Sequence, residues 1–121
     1  MLPPIAVWLQ GSSLVRDILG ARPRVYRMGE APQNQTKPYA TFLITGVPEN
    51  SLSETPSIDR CSVQLDLYHV DDAATEVLAV AVRDRMELAA HMTQWRVVGR
   101  DNATRLFRIS LDFDWWLPRL T

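Results

Sequence analysis

The spacing of apolar and polar positions along this chain switches between two periods, and each switch marks an element. The clearest switch lies between Ser62 and Met86. Val63, Leu65 and Leu67 alternate with Gln64, Asp66 and Tyr68, which predicts a half-buried strand. Asp71-Asp72 stops the alternation. From Ala73 to Met86 the apolar positions become Ala74, Val77, Leu78, Ala81 and Val82, a stripe with helical spacing. Asp72 is the expected N-cap of that helix, and Glu76 sits near the positive end of its dipole.

The same reading covers the flanks. Pro3 and Pro4 suit the first turn of a helix, where N–H groups have no partner anyway, and Ile5, Trp8 and Leu9 give it an apolar stripe. Gly11-Ser12-Ser13 interrupts it, and either serine can cap a second short helix carrying Leu14, Val15, Ile18 and Leu19. Gly20 and Pro23 end that helix. Arg24 to Met28 predicts a short strand, and Gly29 to Pro38 a polar arm. Tyr39 to Val47 is apolar on both faces, as expected of a central strand. Pro48 to Asp59 is a polar excursion, and long connections of this kind are often functional. Trp95 to Gly99 and Thr104 to Leu117 predict a final hairpin turning at Asp101-Asn102. In its second strand Phe107, Ile109, Leu111, Phe113 and Trp115 face one way, and Arg108, Ser110, Asp112 and Asp114 the other.

The predicted order is helix, helix, three strands, helix, two strands. The economical packing is α+β: one antiparallel or mixed β-sheet with helices packed on one face. The length of 121 residues favours a single domain spanning 1–121. Thirteen basic and fourteen acidic residues leave a net charge of −1, so no global basic field exists to hold a nucleic acid. The lone Cys61 excludes an intramolecular disulfide. The start lacks the charged region of a signal peptide, and the apolar run from Val77 to Val82 is far too short to span a bilayer. The expected setting is the cytosol, or something assembled there.

Candidate chemistry changes this picture little. Asp66, Asp112 and Asp114 would come together if their strands paired, and three carboxylates can hold a divalent cation. Alternation alone also places polar residues there, as a solvated acidic face, and no calcium loop or ligand-spaced histidine accompanies them. His69 and Cys61 are in phase with the apolar row of their strand and read as packing residues. Eight residues on one strand put them ~26 Å apart, too far to act as a nucleophile pair within a single subunit. Arg22, Arg24 and Arg27 around Tyr26 read as a solvated strand edge. No hydrolase elbow and no Gly-rich phosphate loop is present. No catalytic residue, metal or cofactor is assigned.

Trp115-Trp116 carries more weight. Adjacent strand residues point to opposite faces, so one tryptophan joins the core with Phe113 and the other stands on the polar face. The second ring needs cover from the N-terminal helices, the chain end or a partner subunit.

Arg24-Val25-Tyr26, Ala31-Pro32-Gln33 and Pro38-Tyr39-Ala40-Thr41 precede Val63-Gln64-Leu65-Asp66-Leu67-Tyr68, which leads into the helix bearing Val82-Arg83-Asp84. In order and spacing these stretches resemble the tail-terminator and tail-completion proteins of long-tailed bacteriophages, over about residues 5 to 115. The resemblance implies a virion structural protein, not an enzyme. It implies a ring, commonly a hexamer, at the head-proximal end of the tail, assembled in the host cytoplasm. That ring stops tube polymerisation and joins tail to head, with the tail tube protein and a head-completion or neck protein as partners. Membrane and specific nucleic-acid partners are not expected. The candidate interface residues are Gln33 and Asn34 in the arm, Pro48, Glu49, Asn50, Ser51 and Leu52 in the excursion, and Trp116. Two alternatives stand beside this reading: a neck or connector subunit between portal and tail, and a small ligand-binding or enzymatic α+β domain using the acidic face.

Overall fold

The computed structural model describes residues 3–33, 35–49 and 58–118. The elements follow the predicted order: α1 (Ile5–Gln10), α2 (Ser13–Leu19), β1 (Val25–Arg27), β2 (Tyr39–Glu49), β3 (Ile58–His69), α3 (Asp72–Met86), β4 (His91–Arg100) and β5 (Phe107–Pro118). The strands form one five-stranded sheet in the order β1-β2-β3-β5-β4. It is mixed, because β1 runs parallel to β2 while every other pair is antiparallel.

The helices pack on one face. Val63, Leu65 and Leu67 of β3 meet Ile109, Leu111 and Phe113 of β5 on that face, all buried beneath Ile5, Leu9, Val15 and Leu19 and the inner side of α3. Cys61 is buried at one end of the row, as expected of a small hydrophobe. Trp115 is the tryptophan that joins the core. Its ring meets Trp8 edge-on at 5.9 Å between centroids.

Two polar latches hold the helical layer. Trp8 Nε1 donates to the Arg85 carbonyl at 2.9 Å, and Arg85 Nε donates back to the Trp8 carbonyl at 2.7 Å. The Arg85 guanidinium also lies 4.0 Å from the centre of the Trp8 ring, a cation–π contact. Gly11 leaves room for it, since a Cβ there would collide with that guanidinium. Arg24 is the second latch, donating to the carbonyls of Pro38 (2.9 Å) and Ile18 (3.2 Å), which joins the end of α2 to the start of β2. This arginine is therefore a structural bolt, not part of a solvated edge.

Several boundaries differ from the sequence reading. Ser12 is the serine that caps α2, accepting from Val15 N at 3.3 Å. The cap of α3 is Asp71, not Asp72: its carboxylate accepts from Ala74 N at 2.9 Å, while Asp72 falls inside the first turn. The inner face of α3 is also rotated. Leu78, Ala81 and Val82 of the predicted stripe are buried together with Thr75, Ala79 and Met86, whereas Val77 is 62% exposed. Thr75 is tolerated inside because its hydroxyl donates to the Asp71 carbonyl at 2.6 Å. Strands extend into the supposed excursion, with Pro48 opposite Asp59 and Glu49 opposite Ile58. β4 starts four residues earlier than Trp95, at His91. The turn after it is longer than Asp101-Asn102, with β5 resuming only at Phe107.

Candidate assembly surfaces

Among the described residues no element lies over the face of the sheet away from the helices. Its residues are those out of phase with the core: Arg60, Ser62, Gln64, Asp66 and Tyr68 of β3, and Arg108, Ser110, Asp112, Asp114 and Trp116 of β5. These side chains cover one another. Asp66 is 1% exposed and accepts a 2.6 Å hydrogen bond from Ser110 Oγ, with the Gln64 amide at 3.3 Å and Arg108 at 3.4 Å. Arg96, on β4, donates to Asp112 at 2.9 Å and to Ser110 at 3.0 Å. Arg60 lies 4.0 Å from Asp114, which also accepts from Ser62.

The three aspartates thus share a face, as the alternation predicts, but each has an arginine beside it. Strand pairing sets this up by placing Gln64 opposite Asp112 and Asp66 opposite Ser110. The result is a face of paired charges, not a solvated acidic one. Among the described residues no group of His, Cys, Asp or Glu is arranged to hold a metal ion. A shallow depression of about 190 Å³ lies on this face between Leu43, Thr45, Gln64 and Asp112.

The end of the open face is closed by Tyr39 and Tyr68, stacked at 4.9 Å. Burial raises the pKa of both phenols above the usual value. The charge of Asp101 adds to the effect at Tyr39, and that of Asp66 at Tyr68. Asp101 organises the loop from β4 to β5. It accepts from the Thr104 N–H and hydroxyl, both at 2.9 Å, and these bonds lower its pKa. His69, at the same end, is half-buried and accepts from Val70 N at 2.8 Å through Nδ1.

The candidate interface residues fall at separate places. Trp116 is 46% exposed on the uncovered face, opposite Arg60. Gln33 is exposed in the arm, at a pocket that also contains Gln35 and Lys37. Pro48 and Glu49 close β2 at the far end of the sheet. Asn34, Asn50, Ser51 and Leu52 lie outside the described residues. Two features escape sequence reading. One is the arginine set Arg60, Arg96 and Arg108, whose role depends on register. The other is an open apolar groove between α2 and α3, lined by Leu14, Ile18, Val77 and Val80. Among the described residues no helix is long and apolar enough to cross a membrane.

A surface of paired charges, an exposed indole and open strands suits protein contact more than covalent chemistry. No curated protein matches the chain. The family model described as "Tail completion protein gp17" matches residues 3–118. That span covers every helix and strand of the fold, and the chain belongs to this family of bacteriophage tail completion proteins.

Proposed function

We propose that the protein forms a closed ring, a hexamer, at the head-proximal end of the tail tube, where it ends tube polymerisation and presents the surface that joins the head. It works by binding alone. Its partners are further copies of itself, the tail tube protein and a head-completion or neck protein, and its place is the virion tail. Ring closure requires a head-to-tail interface whose rotation returns on itself. Gln33 and Asn34, the stretch Pro48–Leu52 and Trp116 supply contacts for these interfaces.

Trp116 is the observation that carries this reading. In a chain of a tail-completion family, a large ring stands 46% exposed on a sheet face that no helix covers. Its neighbours are already ion-paired, so the face is close to electrically neutral and is cheaply desolvated by a partner.

Removal of the protein during phage assembly tests the role. The expected products are headless tails of uncontrolled length. Tails of normal length would remove the terminator role. If such tails also failed to join heads, the protein would be a neck subunit between portal and tail instead.

A further inference from the structure

A pocket of about 420 Å³ opens between the arm and the β4–β5 loop, lined by Gln33, Gln35, Lys37, Tyr39, Thr104 and Leu106 among others. Gln35 is 9% exposed, and neither its amide nitrogen nor its amide oxygen has a partner among the described residues. A buried carboxamide left bare is unfavourable at both atoms. A ligand that offers one acceptor and one donor side by side satisfies both, and the N–H and C=O of a single residue in an extended chain, which point to the same side, do so. The rim is mixed, with Lys37 as a cation and Leu106 and Pro32 as apolar walls.

We propose that this pocket is the socket of a head-to-tail contact, filled by the 50–57 connector of a second copy of the chain. This deepens the ring reading above and rests on it. Three observations select the occupant. First, the connector leaves the sheet at Glu49 and Ile58, the end opposite the pocket, because Tyr39 pairs with Tyr68 at the pocket end. A plug at one end and a socket at the other make a heterologous contact, the kind a ring needs. Second, the connector cannot fill its own socket. β2 spans about 33 Å from Tyr39 to Glu49, while eight residues going out and back reach at most ~14 Å. Third, the chemistry matches: Asn50-Ser51-Leu52-Ser53-Glu54-Thr55-Pro56-Ser57 holds one acid, Glu54, for Lys37, and one large apolar side chain, Leu52, for Leu106.

Charge reversal and mass measurement test the contact. Lys37→Glu and Glu54→Lys should each weaken self-association about tenfold, and the double variant should recover it. Gln35→Leu should weaken it by a similar factor without lowering Tm, because it removes two bare polar atoms. If the wild type and all variants assemble alike, the socket is wrong while the ring stands. If the wild type is monomeric in solution, a synthetic peptide of residues 48–59 is titrated into isotope-labelled protein. Shifts of the Gln35 side-chain amide signals support the socket. Their absence up to about 5 mM peptide, above the Kd of the weakest specific contacts, overturns it. The ring itself is judged separately, by tail length.

Discussion

On the face under the helices, Val63, Leu65 and Leu67 meet Phe113, Leu111 and Ile109; one residue away, on the open face, Ser62, Gln64 and Asp66 meet Asp114, Asp112 and Ser110. The same two strands therefore carry two kinds of interior. The first is apolar and closed by α1, α2 and α3. Its stability comes from area removed from water and from tight packing. The second has no covering layer among the described residues, yet Asp66 and Ser110 are each only 1% exposed. Their cover is other side chains on the same face, and pairing compensates their desolvation. A face built this way keeps its charges compensated without an apolar layer over them.

The largest effect is expected on the closed face. Phe113 is fully buried, so Phe113→Ala should cost about 3–5 kcal/mol by urea unfolding, from lost transfer energy plus an unfilled cavity. Asp66→Ala should come next, at about 2–4 kcal/mol, because it strips Ser110 and Arg108 of their acceptor. Adding Arg108→Leu should return part of that loss, since an unpaired cation is then no longer held at the face. If Asp66→Ala costs less than about 0.5 kcal/mol, the open face is not held by its polar network and the contrast between the faces fails.

A smaller pair of variants sharpens the joint between β3 and α3. Asp71→Ala should cost about 1 kcal/mol as a lost cap, and Asp72→Ala only a few tenths as a lost dipole contact. Equal losses would argue against the cap geometry. The open face should also titrate in base where the closed face does not. Burial holds the folded pKa values of Tyr39 and Tyr68 above the ordinary value of 10.0. The folded state therefore holds their protons more firmly than the unfolded state does. Their contribution is fully present below pH 10 and is lost as pH rises through the folded values. Tyr39→Phe with Tyr68→Phe should flatten the fall in Tm above pH 10; an unchanged slope would place its origin elsewhere.

The order of elements was legible because each strand or helix of the core announces itself by period. Val63 to Leu67 and Phe107 to Trp115 needed only alternation, and their helix-facing sides follow directly. What was hidden depended on things alternation does not encode. Asp71 and Asp72 are chemically identical candidates, and only the turn geometry separates them. In α3, Ala79 and Thr75 turn inward where Val77 and Ala74 read as equally good, because a polar Thr whose hydroxyl bonds the Asp71 carbonyl is not recognisable as a buried residue from its type. The first half of β4 carries no period. It is an edge strand with register shifts at Met92/Gln94 and Val97/Gly99, so its side chains never alternate cleanly. The arginine partners of the aspartates come from β3, β4 and β5, which no local window joins. Gln35 is an ordinary polar arm residue until the fold buries it.

Trp115 and Trp116 put the whole contrast into two adjacent residues. Trp115 is 6% exposed and packs on Trp8, so its loss should resemble that of Phe113. Trp116 is paired across the sheet with Arg60 and otherwise faces outward. Trp116→Ala should therefore cost the isolated subunit only about 0.5 kcal/mol, the range of surface changes. Its effect on assembly should be far larger if the ring is an interface anchor, since truncating a central aromatic commonly costs about 2 kcal/mol or more of binding. Thermal unfolding of the monomer and the yield of head-joined tails measure the two quantities on the same variant. Large loss of joined tails with unchanged Tm assigns Trp116 to a partner. Equal loss in both would mean that the indole is buried within its own subunit's fold, and the open face would then lose its one exposed aromatic contact for a neighbour, leaving Leu43 as an exposed apolar side chain there.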